Sequence, residues 1–128
     1  MANAVDHYLA ALREQDWDAL ESTLADGVHR TGPYRDVVEG RRPYREFLDE
    51  QVSRLANYEL RVHRVDVIGG PADPGRTVWV RLSESMDTPE GRSRTEEALE
   101  FALDTEGKIA RVAVFLQKTE LLSDPGES

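Results

Sequence analysis

At Leu60 the hydrophobic spacing of this chain changes period. Before it, apolar side chains recur at i, i+3, i+4 and i+7; after it, they alternate one by one with polar neighbours. Such a chain puts helices in its first half and long strands in its second, and each layer must cover the apolar face of the other. With 128 residues the expected outcome is one domain that buries roughly two-thirds of the surface its unfolded form exposes.

Asn3 is placed to cap a first helix in which Val5, Tyr8, Leu9 and Leu12 share a face. Asp16 opens a shorter second helix with Trp17, Leu20 and Leu24 on one side, and Asp26-Gly27 offers a residue that readily takes the left-handed turn ending a helix. Pro43 suits the first turn of a third helix, whose stripe is Tyr44, Phe47, Leu48, Val52 and Leu55. Between the second and third helices lies "VHRTGPYRDVVEG", residues 28–40, a short strand broken at Gly32-Pro33 and read as an irregular connector.

Leu60 and Val62 then begin an alternating run to Ile68, and residues 69–75 form a loop rich in glycine and proline. Val78, Val80 and Leu82 alternate with Trp79, Arg81 and Ser83, and "TPEG" at 88–91 reads as a hairpin turn. The returning "RTEEALEFALD" is ambiguous, because its Glu, Ala and Leu favour helix while Leu99, Phe101 and Leu103 alternate. Its setting between two turn signals decides for strand. Val112, Val114 and Leu116 mark the last strand, and the polar "SDPGES" beyond it is expected to fray, giving a folded unit over 1–122 and a tail over 123–128.

Twenty-five acidic against sixteen basic side chains give a net charge of -9, which repels phosphate backbones and anionic lipid. Nucleic acid and membrane are therefore not expected partners. The absence of cysteine excludes disulfides, zinc thiolates and a thiol nucleophile. No basic leader precedes an apolar run near the start, and no stretch reaches eighteen apolar residues, so the expected location is the cytoplasm. Three separated histidines without helical metal-ligand spacing give no expectation of a metal.

The order of elements, with "HYLAALREQDWDALESTLADGV", "VEGRRPYREFLDE" and "DTEGKIARVAVF" in that sequence, resembles the nuclear transport factor 2-like superfamily, in its SnoaL-like and ketosteroid-isomerase-like branch. The resemblance implies an α+β fold of cystatin-like topology, a curved antiparallel or mixed sheet wrapped as a cone around three N-terminal helices. It also implies an apolar pocket at the open end. Activities in that superfamily include isomerases, cyclases, dehydratases and epoxide hydrolases that need no organic cofactor, alongside binders without catalysis.

Two acids expected from the resemblance are missing. Where a ketosteroid isomerase carries a general-base aspartate before a proline, this chain reads Gly32-Pro33, and the acid of the fourth strand is replaced by Leu99. Tyr8 matches the tyrosine of the first helix, whose hydroxyl could donate to an oxyanion. From parity, Glu84 and Glu97 share the side of the apolar residues, and a hairpin centred near Glu90-Gly91 would set them directly opposite each other. Two such carboxyls could divide the roles of acid and base; wet strand ends or a slipped register would leave them as a solubilising rim. His29 is a candidate proton shuttle whose direction depends on one residue of register. His63 belongs to an exposed face.

Tyr34 is a candidate lid, and with Leu82, Leu99, Phe101 and Leu116 it is expected to line the pocket. Arg41, Arg42 and Arg45 either hold an anion or pair with Asp36, Glu39, Glu46 and Asp49. Trp79 and Phe115, on the opposite parity, are candidates for a homodimer face. Two functions stay open at this point: proton-transfer catalysis on a small apolar or aromatic molecule, through Glu84 and Glu97 with His29 or Tyr8 in support, or ligand binding without turnover.

Overall fold

The computed structural model describes residues 3–69 and 76–122. Asn3 caps α1 (Ala4–Glu14) reciprocally: its side chain accepts from the Asp6 N–H at 3.0 Å, and the Asp6 carboxylate accepts from the Asn3 N–H at 3.1 Å. Two orphan donors of the helix start are thereby satisfied. Val5, Tyr8, Leu9 and Leu12 are all buried. Asp16 caps α2 (Trp17–Glu21) through the Ala19 N–H at 3.2 Å.

Helix α2 stops earlier than its apolar spacing predicts. The hydroxyls of Ser22 and Thr23 donate to the Ala19 and Leu20 carbonyls at 2.6 and 2.7 Å, so the helix end finds partners without a left-handed residue. Leu24 therefore opens β1 (Leu24–Thr31), and Gly27 sits inside that strand instead of ending a helix. Residues 28–40 are likewise more ordered than an irregular connector. They complete β1, turn, and return antiparallel as β2 (Val37–Glu39), with the Gly32 N–H bonded to the Asp36 carbonyl at 2.7 Å.

Gly40, at φ 98°, turns the chain into α3 (Arg41–Ser53), with Pro43 in its first turn. Tyr44, Leu48 and Val52 are buried and Phe47 packs against the core, while Leu55 falls just beyond the helix end. The second half forms four antiparallel strands, β3 (Ala56–Ile68), β4 (Thr77–Thr88), β5 (Gly91–Leu103) and β6 (Ile109–Leu121). The ambiguous "RTEEALEFALD" is strand up to Leu103, within β5. Most of the stretch 69–75 and the tail 123–128 lie outside the described residues.

The six strands run in the order β2-β1-β6-β5-β4-β3, with β1 parallel to β6, so the sheet is mixed. The pairing register shifts twice along β3 against β4 and twice along β5 against β6. Extra residues of this kind bend a strand and increase its twist. The sheet thus curves over the helices without closing. On its concave face Val78, Val80, Leu99, Phe101, Val112 and Val114 are buried, and the Tyr8 ring meets Phe101 and Tyr44 edge-on at 5.2 and 6.3 Å between centroids. No described helix is long and apolar enough to cross a membrane.

Phe101 is fully buried at the centre of this packing. Phe101→Ala should destabilise the fold by about 3–5 kcal/mol, the usual cost of an emptied aromatic site, read as a lowered urea midpoint with an unchanged slope.

Candidate active site

Beyond the packed core, the concave face opens into a cavity of about 690 Å³ between the β1–β2 turn, α3 and the far ends of β4, β5 and β6. Its apolar wall comes from Phe47, Leu48, Val52 and Leu55 on one side and Met86 and Leu116 on the other. Into this wall project Arg30, Asp36, Glu84 and Glu97. A second depression of about 560 Å³, between α1, α2 and the β5–β6 turn, contains none of these four.

Glu84 and Glu97 reach the cavity from neighbouring strands, as their parity predicts, but they are not directly paired. Glu84 stands opposite Thr95 and Glu97 opposite Leu82, which makes the two acids diagonal neighbours. Pairing of Thr88 with Gly91 leaves Pro89-Glu90 as the turn. That centre lies one residue earlier than the sequence suggests, which moves every partner by two and leaves the faces unchanged. A diagonal pair is still within reach of long side chains, close enough for Glu84 to act on the Glu97 carboxyl.

Glu97 is only 8% exposed. Burial holds its carboxyl well above the usual carboxylate range; the hydrogen bond to Glu84 and the charge of Glu84 add to this, and Arg30 opposes it. Glu97 therefore keeps its proton near neutral pH. Glu84 accepts a hydrogen bond from the Tyr58 hydroxyl. Burial, followed by the charge of Glu84, raises the Tyr58 phenol, so Tyr58 stays a donor. An extra residue in β3 between Ala56 and Glu59, with Asn57 at φ 52°, precedes Tyr58 at this end of the strand. A similar irregularity at Gln117 leaves Leu116 opposite Glu97 and Thr119 opposite Thr95, so both line the cavity despite their odd spacing.

Arg30 forms a second pole. Its side chain is 11% exposed and donates through Nη1 to Asp36 Oδ2 at 3.2 Å. Its guanidinium lies 4.7 Å from the centre of the Phe47 ring, a cation–π arrangement, and its charge works to lower the nearby Tyr44 phenol. Tyr44 in turn shares a 2.7 Å hydrogen bond with Tyr8. Burial pushes the Tyr44 phenol up to about 12 and raises that of Tyr8 well above its ordinary value, so both remain neutral.

Asp36 owes its place to the residue that interrupts the resemblance. A Cβ on Gly32 would lie 2.3–2.5 Å from the Asp36 carboxylate, closer than side chains approach. The glycine that stands where an aspartate was expected thus makes room for a carboxylate from four residues later. Asp36 also accepts from the Tyr34 N–H at 3.3 Å, tying the turn together.

Of the other candidates, Tyr34, 80% exposed, and Leu116 line the cavity. Leu82, Leu99, Phe101 and Tyr8 lie in the packed core outside its lining. His29 turns away from it to Glu39, at 3.0 Å across the β1–β2 hairpin. His63 bonds Ser83 Oγ at 3.0 Å. Arg41, Arg42 and Arg45 pair with Asp18, Glu21 and Asp26 rather than with the acids nearest in sequence, because α2 and β1 pack alongside the start of α3. Among the described residues no group of three His, Asp or Glu side chains is arranged to hold a metal.

The sequence reading missed Arg30, Asp36 and Tyr58. Two of them carried a signal: Arg30 shares the parity of buried Val28, and Tyr58 that of buried Leu60. Asp36 carried none, since no periodicity runs through a turn.

Because Glu97 is held protonated in the folded state, stability is greatest at acid pH with respect to this group. It falls as pH rises above about 5, by up to about 1.4 kcal/mol per pH unit while the folded carboxyl stays neutral. Glu97→Gln should remove that decline, seen as a flatter stability–pH curve than the parent chain between pH 5 and 8. Separately, Gly32→Ala should destabilise by on the order of 1 kcal/mol by displacing the Asp36 carboxylate. In an Asp36→Ala background that cost should vanish, which a double-mutant cycle of denaturant midpoints measures.

A search of curated proteins found no match. Among solved structures the chain is similar to SalBIII, an epoxide hydrolase/cyclase-like enzyme in pyran ring formation in the polyether salinomycin (24% identity, 93% of each chain, TM-score 0.75). It is also similar to Rv0760c of Mycobacterium tuberculosis, solved with estradiol-17β-hemisuccinate (12% identity, 92% of this chain and 95% of that one, TM-score 0.74). A third is an NTF2-like protein from Cytophaga hutchinsonii (15% identity, 91% and 92%, TM-score 0.67). These likenesses show the nuclear transport factor 2-like fold. The family model described as a SnoaL-like domain matches residues 5–112, so the chain belongs to the SnoaL-like domain family.

Proposed function

We propose that this protein catalyses proton transfer on a small, largely apolar molecule, with Glu97 as general acid and Glu84 as general base. The observation that carries this reading is the buried Glu97 carboxyl, kept protonated beside Glu84 in an apolar-walled cavity. A site that holds one carboxyl protonated beside a second is equipped to give and take a proton in one event.

Glu84 removes a proton from substrate carbon or oxygen, and the electron pair of the broken bond moves into the substrate. Glu97 delivers its proton to the atom that receives electron density at the far end of that shift. Glu84 then carries the proton and Glu97 does not, and transfer between the two neighbouring carboxyls restores the starting state. Electrons and protons balance without an organic cofactor. Isomerisation, ring closure and dehydration all fit this scheme. Support for the substrate class also comes from the similar proteins, one an epoxide hydrolase/cyclase-like enzyme and one holding a steroid derivative. Tyr34 at the mouth and Leu116 on the wall are ligand contacts in this reading; Tyr8 acts at a distance, through Tyr44 on Arg30.

The reading extends to a cytoplasmic homodimer that joins through the convex face of the sheet. There Trp79 and Phe115 stack at 6.0 Å and Phe115 is 48% exposed.

A thermal-shift screen of cyclic ketones, epoxides and polycyclic aromatics, followed by turnover assays on the hits, tests the catalytic assignment. Compounds that stabilise the native chain should include at least one that is converted. Glu84→Gln and Glu97→Gln should each lower kcat by about 10²–10⁴ with the fold retained by circular dichroism. Stabilisation without conversion of any hit would instead assign a binding role.

A further inference from the structure

The carboxyl pair leaves one cavity group without a task. Arg30 is the one cation among the described residues that line the cavity. Its single carboxylate contact, Nη1 to Asp36 Oδ2 at 3.2 Å, engages one of five N–H donors in a planar fork suited to oxygen acceptors. The Phe47 ring lies against the guanidinium on one side and Asp36 holds it on another, which restrains its swing, and its charge acts on the nearby Tyr44 phenol. A partly buried cation held on several sides is preorganised to meet negative charge that appears during a reaction.

We propose that Arg30 is a catalytic residue that binds the oxygen of a neutral carbonyl substrate and stabilises the oxyanion formed when Glu84 removes the adjacent C–H proton. Asp36 and Tyr44 are its positioning residues. The inference rests on the proton-transfer reading and narrows it to carbonyl compounds with an acidic neighbouring C–H. In the step, the C–H electron pair becomes the new C=C bond and the carbonyl π pair moves to oxygen beside Arg30. The proton resides on Glu84, and Glu97 returns its own to carbon as the pairs move back.

The charge balance of the cavity argues for a neutral ligand over a carboxylate. With Glu97 protonated, Arg30 contributes one positive charge and Asp36 and Glu84 two negative ones. A ligand arriving already charged would meet a net negative wall, whereas a carbonyl carries its charge only after one proton has passed to Glu84. At that moment Glu84 is neutral and Arg30 has only Asp36 as counter-charge. The same count assigns Asp36 two effects, since it holds the guanidinium in place and competes with any anion for it.

The test uses 2-naphthol, a rigid apolar molecule whose single oxygen bears charge as an enolate oxygen does, and whose two protonation states differ in absorbance and fluorescence. The wild-type chain should bind the neutral form and, as its proton passes to Glu84, show its ionisation moved to lower pH than in water. Arg30→Met should weaken binding of the anion about tenfold or more while leaving affinity for the neutral form within about twofold, and Arg30→Lys should fall between. Asp36→Asn should tighten the anion and leave the neutral form unchanged.

Naphtholate binding equal in wild type and Arg30→Met, with both folded by circular dichroism, would overturn the assignment; so would failure of the wild type to bind either form. If Arg30→Met does not fold, Arg30→Lys and Asp36→Asn decide, and an unchanged ionisation in both counts against Arg30. Failure of the carboxyl pair reads out elsewhere: Glu84→Gln and Glu97→Gln would keep full turnover while the naphtholate response to Arg30 persists.

Discussion

Two carboxyl groups brought close inside a sheet-lined hollow do not both ionise easily. Two like unit charges about 4 Å apart at an effective dielectric near 20 repel by about 4 kcal/mol, several times what an ordinary hydrogen bond contributes. Retaining one proton removes the repulsion and turns it into a hydrogen bond. The surroundings decide where that proton rests. Glu97 is buried beside the charge of Glu84, whereas Glu84 receives the Tyr58 hydroxyl. The chemistry assigned to the cavity, and the fall of stability with rising pH, both follow from that asymmetry.

The hollow exists because strand and helix lengths do not match. Strands of 12 or 13 residues span about 40 Å, whereas the 11-residue α1 covers about 16 Å. Helices pack on one end of the concave face, where Tyr8, Phe101 and Val80 are buried together. At the other end the sheet continues, and only α3 and the β1–β2 turn stand over it. Groups that would be expensive to bury in the packed half therefore gather in the half that remains open. Arg30, reaching across from β1, keeps their summed charge from growing too negative.

Much of this arrangement was legible in the residues. The caps at Asn3 and Asp16, the stripe of α3 and the alternation of β4 and β5 are local signals, and each meant what it said. Parity alone put Glu84 and Glu97 on the inner face. It could not show that they are diagonal, because register depends on which two residues form the turn, and Pro89-Glu90 differ from Glu90-Gly91 by a single step. The end of α2 was misread for a related reason: hydroxyls at Ser22 and Thr23 did the work that a left-handed glycine was expected to do. Asp36 was invisible in principle. Its importance lies in a contact with a missing side chain, and only coordinates reveal what fills the space a glycine leaves.

The irregularity at Gln117 bears on assembly as well as on shape. A regular strand can slide along its neighbour by two residues and still present the same faces, an error that hydrophobic patterning alone does not penalise. A strand with one unpaired residue has a notch that fits its neighbour at a single position. Slid by two, β6 would carry its kink to a stretch of β5 built for straight pairing and break ladder bonds on both sides. The feature that brings Leu116 and Thr119 to the same wall therefore also works as an alignment mark that disfavours a sheet slid out of register.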